Sequence, residues 1–164
     1  EIYEVNRLST TITALVIIFS GLMLSSCGQG PVLKVNNAIV TLSPVDNNPS
    51  ALHFTVHGGP EDVNLVRVFS PSAVRTEIHE SSVDPETKMM SMQKLEKVKI
   101  PAKGKVEFKK GGKHAMLWGI NKLARRLGEM EIEVTFSNGE RILVDAVVRE
   151  IDGTIPDERK EYMG

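Results

Sequence analysis

Glu131-Ile132-Glu133-Val134-Thr135-Phe136-Ser137-Asn138-Gly139-Glu140-Arg141-Ile142-Leu143-Val144 is the stretch that decides the fold. Its first six residues alternate polar and apolar, the period of a half-buried strand. Asn138-Gly139 then supplies a strong hairpin signal before a second apolar run begins. Working outward, short runs rich in Val, Ile, Phe and Thr recur between Gly, Pro, Asn and Asp. They predict strands near Val32–Leu42, Ala51–His57, Val63–Phe69, Val74–Glu80, Lys88–Gln93, Lys97–Ile100, Lys105–Lys109, His114–Trp118, Glu131–Phe136 and Arg141–Arg149. Strands at such spacing predict an all-β chain, a sandwich or a barrel. Only Gly119–Gly128 reads as helical, with Leu123, Ala124 and Leu127 on one side and Gly128 as its stop.

The 164 residues are 41% hydrophobic and 25% charged, an ordinary globular composition. Lys and Arg number 20 against 21 Asp and Glu, so no long-range field favours nucleic acid, and no nucleic-acid partner is expected. One cysteine permits no internal disulfide and no zinc site built on Cys pairs.

That cysteine has a particular setting. Ile12 to Leu24 is one apolar run of 13 residues, and Leu24-Ser25-Ser26-Cys27 follows at once. A membrane span needs about 18–20 apolar residues and a signal-peptide core about 7–15. The Leu-Ser-Ser-Cys stretch resembles the lipobox of bacterial lipoproteins. The resemblance implies a signal peptide over residues 1–26, a lipidated Cys27 with a tether to residue 31, and a cell-envelope or periplasmic location anchored to a membrane. Several lipid chains would hold it there at about 0.8 kcal/mol per buried methylene. Without residues 1–26 the chain keeps 19 charges of each sign. Residues 32–150 form the expected domain, and residues 151–164 a polar tail to which no chemistry is assigned.

Methionines and histidines carry the remaining signal. Met89, Met90 and Met92 cluster, Met116 lies two residues after His114, and His79 lies upstream. On a strand, i and i+2 share a face, so His114 and Met116 point the same way, as do Met90 and Met92. Imidazole and thioether together form a soft, mixed donor set that favours Cu(I) over Zn(II), Mg(II) or Ca(II). Thioethers also suit an oxidising compartment, where thiolates risk disulfide formation. Imidazole binds metal only when neutral, so affinity at such a site falls in acid.

The stretch from His79 to Met116 resembles the periplasmic copper chaperone family known as PCu(A)C. Its fingerprint is a His, about ten residues, a Met, about twenty-one residues, then His-x-Met. Here His114-Ala115-Met116 is the His-x-Met, and twenty-one residues separate it from Met92. Twelve residues lie between His79 and Met92, and Ser81 to Thr87 is expected to be the turn that absorbs the excess. Met90 restores the first spacing at the expense of the second, and stands as the substitute for Met92. The stretches Ile100–Gly104 and Lys110–His114 also match the family's turns before its ligand strand, and the likeness covers about Val32 to Val148. Ala38-Ile39 departs from the family's usual Ala-Trp. The resemblance implies a cupredoxin-like Greek-key β-sandwich. It implies Cu(I) held by His79, Met92, His114 and Met116; no constellation of residues points to an enzyme. It implies delivery of the copper to an acceptor such as the dinuclear copper subunit of a respiratory oxidase or its assembly factors.

Competing readings stay open at this point. Methionine usually fills core gaps, and a metal-free lipoprotein module for adhesion or assembly would also be a β-sandwich. His53 and His57 share a strand face but read as ordinary surface or core residues, with a second metal site the lesser alternative. Trp118 reads as a rim or core aromatic that could also cover the copper. Gly111-Gly112-Lys113 lacks the spacing of a phosphate loop. A blue-copper centre needs a Cys thiolate, and Cys27 is committed to lipid.

Overall fold

The structure is a computed structural model describing residues 30–45 and 47–154. The apolar run, the lipobox, Cys27 and the last ten residues lie outside the described residues. Among the described residues, ten strands and one short helix follow in chain order: β1 (Lys34–Thr41), β2 (Ser50–His57), β3 (Val63–Phe69), β4 (Arg75–Val83), β5 (Met90–Leu95), β6 (Val98–Ile100), β7 (Lys105–Phe108), β8 (Lys113–Trp118), α1 (Lys122–Leu127), β9 (Glu129–Phe136) and β10 (Arg141–Arg149). They form one sheet in the order β5-β4-β8-β2-β1-β10-β9-β3-β6, with β7 also on β2. β1 pairs in parallel with β10, the last strand, and antiparallel with β2. The sheet curls until β3 meets β4, giving the nearly closed β-sandwich that the alternating runs predict.

Alternation explains which residues are inside. β9 buries Met130, Ile132, Val134 and Phe136 and turns its glutamates outward. β2 buries Leu52, Phe54 and Val56, and Phe54 stacks on Phe108 of β7 with ring centroids 4.1 Å apart. In β1 the buried residues are Val35, then Ala38 and Val40, a change of parity. A bulge between Asn36 and Ile39 causes it, because an extra residue flips everything beyond it to the other face. Asn37 takes up the kink at φ 54°, a region Asn enters more readily than most residues.

Two turns differ in detail from the sequence expectation. The β9–β10 hairpin is not a two-residue Asn-Gly turn. Phe136 N–H bonds the Glu140 carbonyl, Gly139 N–H bonds the Phe136 carbonyl, and Gly139 alone of the loop takes a positive φ of 87°. That is a three-residue loop with its glycine at the left-handed position. Asn138 stabilises it through its side chain, whose Oδ1 accepts from Glu140 N–H at 3.1 Å.

The second difference matters for the site. Ser81 to Val83 are strand, not turn, so β4 outruns its predicted end at Glu80. The turn comes later, at residues 84–89, where Asp84 Oδ1 accepts from the N–H groups of Glu86 and Thr87 and Asp84 N–H bonds the Met89 carbonyl. Ser82 and Ser91 hydroxyls bond across the pair at 2.8 Å. The two surplus residues therefore lengthen the hairpin rather than its loop. β5 is correspondingly displaced to Met90–Leu95 from the predicted Lys88–Gln93.

Helix α1 begins at Asn121, whose side chain accepts from Ala124 N–H at 2.8 Å, and ends at Gly128 with φ 68°. It sits within the predicted stretch.

Candidate metal centre

Cross-strand register assembles the histidines. β4 pairs with β8 so that His79 lies opposite His114 and Glu77 opposite Met116. β4 pairs with β5 so that His79 lies opposite Lys94 and Ser81 opposite Met92. Directly opposed residues of an antiparallel pair share a face. His79, His114, Met116 and Met92 therefore stand on one outer face, with Ile78, Ala115 and Leu117 buried on the other. Met116 and Met92 are each diagonal to His79, about 7–8 Å away between backbones, and lie on opposite sides of it.

Met90 shares this face but sits farther off, opposite Val83. It is four residues along β5 from the position opposite His79, about 13 Å at the strand rise. Met92 is half that distance. A metal–donor bond is only about 2.0–2.3 Å, so the register favours Met92.

The two imidazoles are held in different orientations. His114 is buried, and its Nδ1 lies 2.9 Å from the Gly112 carbonyl. A carbonyl can only accept, so Nδ1 carries the hydrogen and, in the neutral ring, the lone pair is on Nε2. His79 is reversed. Its Nε2 lies 3.0 Å from Glu77 Oε2, which places the hydrogen there and the lone pair on Nδ1. That Nδ1 is buried and has no hydrogen-bond partner among the described residues. An unpaired buried nitrogen is costly, and a bound cation would satisfy it. The ring centroids are 6.3 Å apart. Two bonds of about 2 Å, plus half a ring on each side, span that separation.

Glu77 is the residue that sequence reasoning missed. The hydrogen bond from His79, helped by Lys94, holds its carboxyl below the usual glutamate range. It therefore stays ionised and accepts from imidazole at neutral pH. Lys94 Nζ lies 3.3 Å from its other oxygen, and Arg75 Nε 3.9 Å. A carboxylate behind a metal-binding imidazole fixes its tautomer and ring orientation. The signal was present, since Glu77 is two residues before His79, just as Met116 is two after His114.

Trp118 lies on the same face, opposite Arg75. The guanidinium covers its ring at 4.1 Å, and the ring centroid is 6.4 Å from that of His79. Trp118 walls the His79 side of the site. His53 belongs to the neighbouring strand, one position beyond the Leu52–Ala115 pair and therefore beside His114. Burial, then the nearby His114, Arg149 and Lys110, lower its pKa. His57 is registered between Lys34 and Lys105, a cationic setting that disfavours a metal. The register thus places His79, His114, Met116 and Met92 on one face of three adjacent strands, with His53 beside His114 and His57 apart.

Comparison with known proteins agrees with this architecture. A family model described as LpqE-like lipoprotein matches residues 33–148. Among solved structures, the chain is similar to a copper-bound PCuAC domain from PmoF2, at TM-score 0.57 and 17% identity over 73% of this chain and 93% of that one. It is similar to the apo PCuAC domain from PmoF1, at TM-score 0.57 and 18% identity over 74% and 97%. It is also similar to the Cu(I) form of DR1885 from Deinococcus radiodurans, at TM-score 0.57 and 22% identity over 74% and 80%. No curated protein matches the chain closely enough in sequence to count as a relative.

Proposed function

From the premise that the chain belongs to the LpqE-like lipoprotein family, we propose that it is a copper chaperone of the cell envelope. It binds Cu(I) through His79 Nδ1, His114 Nε2 and the thioethers of Met92 and Met116. The observation that carries this reading is the cross-strand histidine pair, each ring oriented by its own hydrogen bond, with the buried Nδ1 of His79 lacking a hydrogen-bond partner among the described residues. A copper-bound PCuAC domain and the Cu(I) form of DR1885 among its structural neighbours support the same cargo.

Neutral ligands suit transfer. Two imidazoles and two thioethers leave the ion's single positive charge uncompensated within the set, and Glu77 behind His79 offsets part of it. Thioethers are weak, polarizable donors that an incoming ligand displaces one at a time. The acceptor is a copper protein of the envelope, and the family resemblance points to the copper subunit of a respiratory oxidase or its assembly factors. Anaerobic Cu(I) titration against a chromophoric chelator tests the binding. Stoichiometric uptake is expected, and no uptake overturns the reading.

Glu77 gives a sharper prediction. Glu77→Gln keeps the shape and removes the charge, so the tautomer of His79 is no longer fixed. Loss of such a partner typically lowers metal affinity about 10–100-fold. The same titration reads this drop, and Glu77→Asp should restore less than the full affinity because its carboxylate falls short.

We also propose that Cys27 carries the lipid anchor, from the apolar run and Leu24-Ser25-Ser26 before it. Cys27→Ala is expected to move the protein out of the membrane fraction or leave it unprocessed. Mass spectrometry finding an unmodified Cys27 within an uncleaved wild-type chain would contradict this.

A further inference from the structure

Three methionines stand at the end of the β4–β5 hairpin, and only one of them belongs to the site above. Met89 and Met90 are 69% and 70% exposed and Met92 is 49% exposed. Methionine is among the residues most often buried, and a single exposed one needs no explanation. Here three fall within four residues, on an edge strand with no partner on its outer side among the described residues. Val83, opposite Met90, is 54% exposed and continues the same strip.

The strip is held in place. Asp84 ties down the turn through the N–H groups of Glu86 and Thr87, Asp84 N–H closes it onto the Met89 carbonyl, and the Ser82–Ser91 hydroxyl bond fixes the opposite face. Met90 and Met92 therefore remain on one face, two residues or about 6.5–7 Å apart. Met92 is the next step from Met90 toward His79. Each side chain has three rotatable bonds, enough for neighbouring sulfurs to meet.

We propose that Met90, with Met89 beside it, forms an outer thioether station for Cu(I), from which the ion passes through Met92 to the histidine pair or returns to solvent. The inference rests on the copper reading of the inner site. The step is ligand exchange at constant oxidation state: a sulfur of the outer pair gives up the ion as the inner donors take it, and no electron or proton moves. Thioether donors alone favour soft monovalent ions over Zn(II) or Mg(II), so the outer station is selective, and with two donors against four it is weaker than the inner site. Its place in the hairpin accounts for the extra length of β4 and β5, which carries Met90 beyond reach of His79 while keeping it in line with Met92.

The test uses Ag(I), a redox-inert monovalent soft ion, with the full chain in detergent and 13C-labelled methionine methyls observed by NMR. The first equivalent should shift Met92 and Met116. Further Ag(I) should shift Met90 and Met89 in a second, weaker phase. Met90→Leu, at an exposed position, should remove that phase, leave the first intact, and slow the passage of Cu(I) from the inner site to a chelator. If Met89 and Met90 stay unmoved while Met92 and Met116 shift, the outer station is overturned and the inner site stands. If Met89 and Met90 shift while Met116 does not, the inner-site reading fails, and with it the passage of the ion from the outer thioethers to the histidine pair.

Discussion

His79→Ala is expected to lower Cu(I) affinity by more than about a hundredfold, beyond the range for loss of an outer-shell partner. Three effects combine. The substitution removes the buried Nδ1 that has no hydrogen-bond partner among the described residues, and it removes one of two imidazoles whose ring centroids lie 6.3 Å apart. It also leaves Glu77 without its imidazole, between Lys94 and Arg75 only. Stability should change little by comparison, because losing the contacts of a ring that is 15% exposed is offset by removing its unpaired buried nitrogen. A competition titration beside a thermal melt separates the two. Weak copper binding with an unaltered melt is the expected pair, and unaltered copper binding would remove His79 from the site.

Phe108→Ala is expected to be the most damaging change to the fold, costing about 3–5 kcal/mol. Phe108 is 2% exposed and stacks on Phe54, which is equally buried, with 10° between ring planes. Such pairs contribute about 0.5–1.5 kcal/mol beyond their buried area. The consequence reaches the site, since β7 and β8 both pair with β2, and β8 carries His114 and Met116. Chemical denaturation should show the loss as a lower midpoint with an unchanged slope. A cost under about 1 kcal/mol would mean that the core repacks around the gap.

Much of the fold was legible because it is written with period two. β9 and β10 read directly from Glu131 to Val144, and the Gly128 stop bounded α1. The hidden parts depend on pairing. The β1 bulge changes which residues of Lys34–Thr41 are buried, and nothing local marks the extra residue except Asn36-Asn37. The surplus of two residues before Met92 was visible as a count, but a count does not say where the chain absorbs it. Asp84-Pro85 places the turn after Val83, so the strand lengthens and the loop does not.

The site divides in the same way. His114 and Met116 share a strand face from their spacing alone. His79 facing His114 is a long-range register that the family resemblance implied and periodicity could not supply. Glu77 went unnoticed because a glutamate on a strand ordinarily reads as a solvated face. The choice of ring nitrogen depends on Gly112 and Glu77, partners that only the folded chain brings together.

A single Cu(I) site formed by His79, Met92, His114 and Met116 has one decisive consequence for the methionines. Anaerobic Cu(I) titrations of the first equivalent compare Met92→Leu with Met90→Leu. Leucine for methionine nearly conserves volume and costs less than about 1.5 kcal/mol of stability, so the difference reports on sulfur. Met92→Leu is expected to weaken binding of the first equivalent and Met90→Leu to leave it unchanged. The reverse result would contradict the register argued here, and an unchanged first equivalent in both variants and in His114→Ala would contradict the copper site itself.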